Sequence, residues 1–503
     1  MEFIGRSEEL GFLESQYQMD HPLTMVTGRR RVGKSTLILE FLKGKNAMYF
    51  EANRETGRMI LQSFSSEVSR SVGRTLGAFD AWEDAIRAYV ELAPPGRKVL
   101  AIDEFQYISM ADPEFLRTFQ GIWDTYLSRE DVMVILCGSY LNMMRRMSED
   151  YGSPLYGRNT GDLMLQPLSF HETSRGKDYR RAVEEYAVTG GVPHYMLLMD
   201  DDTVIRNVER LTMGLGAPLL SEPAYLLSDE FRDPSSYNTY LRAIAEGNRK
   251  ADRITSAVQA PSSAVMPYLR KLMDVGMLER RVPVTEDEQG HSRNGMYLIS
   301  DRFMALWFRF VYPYHNRILR RDPDIAMADL EDHFIDSHVA FVFEDICRDE
   351  LRRFLRSNGI LARYGSYWDR SIELDVVAVD DRNGTVYVGE CKYHGSPIGP
   401  EVLRKLKAKC SKVRPFEGMR VVTCVFSASG YTEGMLAESR DSLLFDRGEL
   451  IAGHLDPARC GDRDTVMPGI THAFRAHTVR YYHRDAGWGW CRGIGPFGGE
   501  PLA

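Results

Sequence analysis

Gly28-Arg29-Arg30-Arg31-Val32-Gly33-Lys34-Ser35 carries the spacing G-x-x-x-x-G-K-[ST]. Each residue type there has a task in phosphate chemistry. Glycines let backbone N–H groups close on phosphate oxygens. The N-terminus of the following helix adds a favourable dipole. Lys34 reaches the β and γ phosphates, the Ser35 hydroxyl takes Mg2+, and Thr36 completes the binding set. Further on, Val99-Leu100-Ala101-Ile102 runs into two carboxylates, Asp103 and Glu104. At the carboxyl edge of a parallel sheet, where ligands bind, Asp103 would hold Mg2+ directly or through water. Glu104 would orient and deprotonate an attacking water. Lys34, Asp103 and Glu104 are therefore the first catalytic candidates.

A second constellation lies toward the C-terminus. Asp375 interrupts the otherwise apolar run Ile372–Val379, and Glu390-Cys391-Lys392 closes the next one. Two carboxylates hold one or two divalent metals, Mg2+ or Mn2+, that polarise a phosphodiester and lower the pKa of a bound water. A lysine positions or deprotonates that water and offsets developing phosphate charge. Spacing by two puts Glu390 and Lys392 on one face of a strand and Cys391 on the other. Glu344, in the preceding helix, is a further candidate ligand or hydrogen-bond partner. A D…E-x-K set on adjacent strands is the pattern of the PD-(D/E)xK nucleases, although Leu374 stands where that motif has proline. The alternative is a strand-end Glu–Lys ion pair in an inactive nuclease-like fold. Just downstream, Arg404, Lys405, Lys407, Lys409, Lys412, Arg414 and Arg420 outnumber Glu401 and Glu417. This stretch reads as a surface that tracks a nucleic-acid backbone or as a solvated helix face.

These residues need elements to hold them. Residues 1–165 alternate short apolar runs with amphipathic stretches, which predicts a parallel α/β sheet. Strands are expected at Leu23–Gly28, Ala47–Ala52, Lys98–Glu104, Val132–Ser139 and Leu163–Leu168. The stretch 169–234 reads as a helical lid. Within 235–330, helices at Tyr240–Glu246, Arg253–Val258 and Ser262–Val275 precede two strands around a polar loop, Glu286–Asn294. That is the order of a winged helix, with serine caps opening its third helix and Gly276 ending it. Arg270, Lys271, Arg280 and Arg281 would touch DNA there, or the unit would serve as a packing lid. Residues 331–460 form a second α/β segment: a long helix Phe334–Ser357, strands Ile372–Val379, Thr385–Cys391 and Met419–Phe426, and a basic helix Glu401–Val413. A mobile extension is expected over 461–503, ending in the Gly- and Pro-rich stretch Gly487–Ala503.

Further motifs surround the phosphate loop. Residues 1–300 resemble the archaeal-type ATPase family, a STAND-related branch of the AAA+ ATPases. The opening Phe3-Ile4-Gly5-Arg6-Ser7-Glu8-Glu9-Leu10 is similar to the family's first motif, which places Arg6 near the base. Leu136-Cys137-Gly138-Ser139 is similar to its sensor strand, with Ser139 near the γ phosphate. Pro154-Leu155-Tyr156-Gly157-Arg158 is similar to its PLYGR element. It makes Arg158 a phosphate sensor, or a finger reaching a neighbouring copy, or else a surface salt bridge. Gly191-Val192-Pro193 is similar to the GxP turn, with Pro193 near the base. Gly365–Asp369, Glu373–Asp375, Gly389–Lys392 and the segment Phe426–Thr432 resemble the DUF234 domain that accompanies such ATPases. The implied fold is α/β multidomain: a P-loop core of the ASCE type, a lid, a winged helix and a restriction-endonuclease-like domain.

Composition agrees with a folded protein. Of 503 residues, 44% are apolar and 27% charged, an ordinary globular balance of about three domains. Net charge is −8, so any nucleic-acid surface must be local. Seven scattered cysteines without a CxxC pair exclude a disulfide scaffold and a zinc site, and read as reduced thiols of a cytoplasmic protein. No signal-like segment or membrane span is expected. Two function classes follow. One is an ATPase coupled to a metal-dependent DNA nuclease-like domain, with ATP, Mg2+ and DNA as partners. The other is a non-cleaving nucleotide switch or DNA-binding regulator that works through a homo-oligomer or a protein partner.

Overall fold

Runs that are short and apolar on both faces must be covered on both sides, and a parallel sheet between helices does this. The computed structural model describes residues 3–286, 292 and 294–453. It forms β1 (Leu23–Gly28), β2 (Asn46–Glu51), β3 (Lys98–Asp103), β4 (Val132–Gly138) and β5 (Gly161–Leu165). These pair in the order β2-β3-β4-β1-β5, parallel throughout. Every residue of β4 is buried, and β4 separates the phosphate-loop strand β1 from the acidic strand β3. Its register sets Gly138 beside Thr27 and Leu136 beside Ile102. The carboxyl ends of the three strands therefore meet at one edge. Apolar layers cover both faces, one around Phe64 and Phe115, the other around Leu37 and Ile135. The strand expected at Leu163–Leu168 ends earlier, because the Leu168 N–H bonds the Gly191 carbonyl (2.9 Å) instead of a sheet neighbour.

Helices from Tyr179–Thr189 to Glu222–Glu230 form a second layer. Helices Ser235–Ala245, Ala251–Ala257 and Ser262–Asp274 follow, then the antiparallel pair β6 (Leu278–Arg281) and β7 (Met296–Ile299). Residues 287–291 and 293 of the loop between those strands lie outside the described residues. The serine caps are not formed. Pro261 occupies the N-cap of Ser262–Asp274 without a side-chain bond. Gly276 does follow that helix, at φ +67°.

The long helix expected at Phe334–Ser357 belongs to a longer rod: Asp324–Phe334, a π-helical turn Ile335–Val339, and Ala340–Ser357. Buried His338, in the π turn, donates from Nε2 to the Ala187 carbonyl (2.8 Å). The rod packs on a mixed sheet of β8 (Arg363–Trp368), β9 (Glu373–Asp380), β10 (Thr385–Lys392), β11 (Arg420–Ser427), β12 (Ser442–Asp446) and β13 (Glu449–Ala452). Their order is β13-β12-β11-β10-β9-β8. β8, β9 and β10 run antiparallel in succession, β10 to β12 are parallel, and β13 turns back. The helix Pro400–Cys410 makes the crossover from β10 to β11. One apolar core runs from Val183 through Phe308 and Phe343 to Phe445, so the helical layers and one face of the second sheet share an interior. The expected extension 461–503 lies outside the described residues.

Candidate functional site

The phosphate loop closes where β1 turns into the helix Lys34–Leu42. Gly28 (φ +154°), Arg31 (φ +70°) and Gly33 (φ +93°) supply the turn. A Cβ on Gly28 would stand 2.7 Å from the Leu165 carbonyl oxygen, so no other residue fits there. Lys34 Nζ donates to the carbonyls of Gly28 (2.9 Å) and Arg29 (3.0 Å) across the mouth of the loop. An ammonium has three donors, so one remains for phosphate. Arg6 braces the loop from outside, donating to the carbonyls of Val32 (3.1 Å) and Gln166 (2.6 Å) while paired with Glu9 (2.7 Å). Pro193 lies against Gly33, its Cγ 3.7 Å from where a Cβ would stand. Thr36 is exposed in the first turn of the helix.

Asp103 and Glu104 are oriented differently. Asp103 is buried, and its Oδ2 accepts from Ser35 Oγ (2.5 Å) and Tyr49 OH (2.7 Å). Ser35 and Asp103 thus present two hard oxygens side by side, a donor set that fits Mg2+ beside a triphosphate. Glu104 has φ +50°, a backbone conformation that non-glycine residues adopt at strained, functional positions. Its Oε2 accepts from Ser139 Oγ (2.9 Å) and from Gln106 Nε2. Gln106 is fully buried, and a Cβ on Gly138 would stand 2.4 Å from its Oε1. Ser139 comes from the end of β4 and reaches Glu104 because β4 lies between β1 and β3. Burial, with Asp103 and Glu104 nearby, pushes the Glu51 carboxyl up. The sequence reading missed Gln106 and Tyr49; neither carries a motif, and although Gln106 stands two positions from Glu104, only the sheet brings Tyr49 to Asp103.

Three consecutive arginines of the loop are bound by acids from far along the chain. Arg29 pairs with Asp301, Arg30 with Asp229 (2.9 Å) and Arg31 with Glu222 (2.7 Å). Burial alone would lower the Arg29 pKa, but Asp301 keeps it raised. The next residue, Arg302, pairs with Asp345. Asp345 also receives Arg281 (2.7 Å) and Arg348 (2.6 Å). Burial would raise its pKa, yet the three guanidinium groups hold it far below the ordinary carboxylate range. Arg348 then donates to the Asp375 carbonyl (3.3 Å) and to Ser366 Oγ (2.9 Å). Arg281, expected at a DNA-facing wing, is thus committed to an internal ion pair. Arg158 forks onto Asp124 (2.8 Å from Nε and from Nη2) and is not brought to the phosphate loop.

At the second constellation Asp375 Oδ2 accepts from the Cys391 N–H (2.9 Å). Glu390 and Lys392 share a strand face as expected and pair at 2.8 Å, but Lys409 holds the other Glu390 oxygen at 2.9 Å. Burial would raise Glu390, but the two lysines keep it below its ordinary value. Burial and then Glu390 push Asp375 up, and burial and then Asp375 push Glu344 up. The expected metal set of Glu344, Asp375 and Glu390 is not gathered. Among the described residues no three such side chains are placed to hold a metal, and both oxygens of Glu390 are taken by lysines. The donor types suit a hard divalent cation; the placement does not. Lys405, Lys407, Lys412, Arg414 and Arg420 are exposed along the neighbouring basic stretch.

Residues 3–197 match the family described as an ATPase domain predominantly from Archaea, and residues 307–408 match DUF234, described as archaeal and bacterial proteins of unknown function. The chain carries an archaeal-type ATPase domain followed by DUF234. Its activity is ATP hydrolysis at the P-loop. The DUF234 match begins well before the expected domain start and contains Gly365–Asp369, Glu373–Asp375 and Gly389–Lys392 but not Phe426–Thr432. An uncharacterized protein of Methanocaldococcus jannaschii is 29% identical over 78% of this chain and 87% of its own length. Among solved structures, the Walker-type ATPase of Pyrococcus abyssi is similar at 23% identity, TM-score 0.47, covering 61% of this chain and 96% of that one. The ORC2 protein of Aeropyrum pernix, in ADPNP–ADP complexes, is similar at 15% identity, TM-score 0.42, over 66% and 96%. Among the described residues no helix is long and apolar enough to cross a membrane.

Proposed function

We propose that the protein is an ATP-driven switch acting on DNA, in which the nucleotide state of the P-loop sets the state of a nuclease-like carboxylate–lysine site in the C-terminal domain. The observation that carries this reading is the run of ion pairs from Arg29 through Asp301, Arg302, Asp345 and Arg348 to the backbone of Asp375. Phosphate groups arriving at the loop compete with Asp301, Asp229 and Glu222 for its arginines. Removing one partner of a buried ion pair leaves an uncompensated charge, so a lost partner is felt at the next one. Mg2+ bound by Ser35 and Asp103 would neutralise phosphate charge. Glu104, aimed by Ser139 and Gln106, accepts the proton of the attacking water.

The C-terminal half supports the nuclease-like reading through its topology: a helix, three antiparallel strands, a crossover helix and a further parallel strand, with Asp375 on the second strand and Glu390 and Lys392 on the third. The basic stretch beside it suits a phosphate backbone. A second reading, a non-cleaving regulator on the same fold, is favoured by Lys392 and Lys409 occupying both oxygens of Glu390. The separating experiment incubates supercoiled and linear DNA with Mg2+ or Mn2+, with and without ATP, for the native protein and Lys392→Ala. Cleavage by the native protein that is lost in the variant supports the nuclease. DNA binding that responds to ATP, without cleavage, supports the regulator. Neither binding nor cleavage refutes the DNA reading.

A further inference from the structure

Arg281, Arg302 and Arg348, around the C-terminal site, each have a carboxylate partner. Arg249 does not. It follows the helix Ser235–Ala245, in the segment that leads to Ala251–Ala257. Its backbone is fixed: its carbonyl accepts from the Tyr297 N–H of β7 at 2.7 Å, and Lys250 bridges Met296. The guanidinium is half-buried, its carbon 4.1 Å from the centroid of the Phe341 ring. Among the described residues it has no hydrogen-bonded or ion-paired partner. Phe341 and Glu344 lie three apart on one helix and so share a face. Glu373 and Asp375 lie two apart on β9 and share a face of the sheet. Burial holds the Arg249 pKa below its ordinary value against the opposing pull of Glu344 and Glu373; burial and then Asp375 raise the Glu344 carboxyl. Arg249 therefore reaches the rim of the carboxylate–lysine site from the helical unit, carried by another part of the chain.

We propose that Arg249 is a phosphate-binding residue of the C-terminal site, supplied across from the helical unit to take a backbone phosphate of a bound DNA strand. This rests on the DNA reading above. A guanidinium held over an aromatic ring by a cation–π contact can keep its N–H edge free, an arrangement that suits phosphate oxygens. Glu344 and Glu373 attract the arginine, yet among the described residues none accepts its N–H groups, so its donors remain for an external acceptor. Because the contact comes from the helical unit, which shares one apolar interior with the rod Ala340–Ser357, DNA affinity would follow how closely the two are packed around the ion-pair run from the phosphate loop.

The test is fluorescence anisotropy of a labelled duplex in EDTA, titrated with the full-length protein at several salt concentrations, for native, Arg249→Ala and Arg249→Lys. Each phosphate contact contributes about 0.9 to the slope of log K against log salt on duplex DNA. Arg249→Ala should flatten that slope by about one contact and weaken binding at low salt. Arg249→Lys should keep the slope. ATP turnover and thermal unfolding should match the native protein in both variants. Salt-dependent binding by the native protein with the same slope in Arg249→Ala overturns this assignment and leaves the DNA reading standing. Absence of salt-dependent binding by the native protein overturns both.

Discussion

Asp345 is the place where a single uncharged replacement should do the most damage. Its carboxylate receives Arg281 at 2.7 Å, Arg348 at 2.6 Å and also Arg302. Asp345→Asn keeps the shape and removes the charge. Three guanidinium groups then face one amide, whose NH2 cannot accept, and they repel each other as well. Hydrogen bonds to charged groups contribute about 1.5–3 kcal/mol each. Such losses are not additive, so the total is best taken from broken buried pairs, about 3–5 kcal/mol. At 1.4 kcal/mol per decade, that shifts the local docking equilibrium by roughly two to three and a half orders of magnitude. The measurement is hydrogen exchange across residues 340–357 together with thermal unfolding, at neutral pH and at pH 3. The sign with pH is fixed. A carboxyl whose folded pKa is depressed stabilises above its unfolded pKa and loses that contribution as pH falls through the folded one. At neutral pH the variant should therefore exchange much faster in that helix and melt earlier. The difference from the native protein should shrink as acid is added. Equal protection of 340–357 in both proteins at neutral pH would refute the account of the network.

Other outcomes follow from the same geometry. Lys34→Ala should weaken ATP binding at least tenfold, since charge-assisted contacts to phosphate are worth about 1.5–3 kcal/mol; calorimetric titration with a non-hydrolysable analogue checks this. Glu104→Gln should bind ATP normally and turn it over about 100- to 10,000-fold more slowly, the usual range for a lost general base; phosphate release near the native rate would mean that another group activates the water. Gln106→Ala should lower kcat by about tenfold or more with little change in KM, because only the aim of Glu104 is lost. Glu344, whose carboxyl is raised by burial and Asp375, favours folding when protonated and opposes it as pH rises through its folded pKa. Melting of the native protein should fall from mildly acidic toward alkaline pH, and Glu344→Gln should flatten that fall; parallel curves would argue against a strained carboxyl there.

Much of the nucleotide site was legible because its residues are consecutive. Gly28 to Ser35 and Asp103-Glu104 announce themselves through type and spacing, and β1 and β3 are apolar runs that no other element explains. Ser139 was readable through the likeness of Leu136–Ser139 to the family's sensor strand. Gln106 and Tyr49 were not: Gln106, two positions past Glu104, carries no motif, and Tyr49 meets Asp103 only through the order of the sheet. The arginine partners were less legible still. Asp301, Asp229 and Glu222 are ordinary acids in the sequence, hundreds of positions away, and nothing local distinguishes them from solvated charges. Lys409 shows the same limit. The pattern Asp375, Glu390 and Lys392 was visible, but the second lysine on Glu390 comes from a helix whose basic residues read equally well as a surface.

The π turn at Ile335–Val339 has a consequence for how this protein tolerates change. A π turn holds one residue more than the α turn it replaces. Each residue in a helix turns the chain by roughly 100°. The turn therefore takes up the extra residue within itself, and Ala340–Ser357 keeps the phase of an uninterrupted helix as it presents Phe341, Glu344, Asp345 and Arg348 to their partners. Deleting a single position within 335–339 would restore an α turn and leave that downstream face where it is. Deleting one within 340–357 would instead swing every later residue of the helix by roughly 100°. Chains that share this architecture should therefore vary by a residue in the turn and hardly at all in the length of the helix after it.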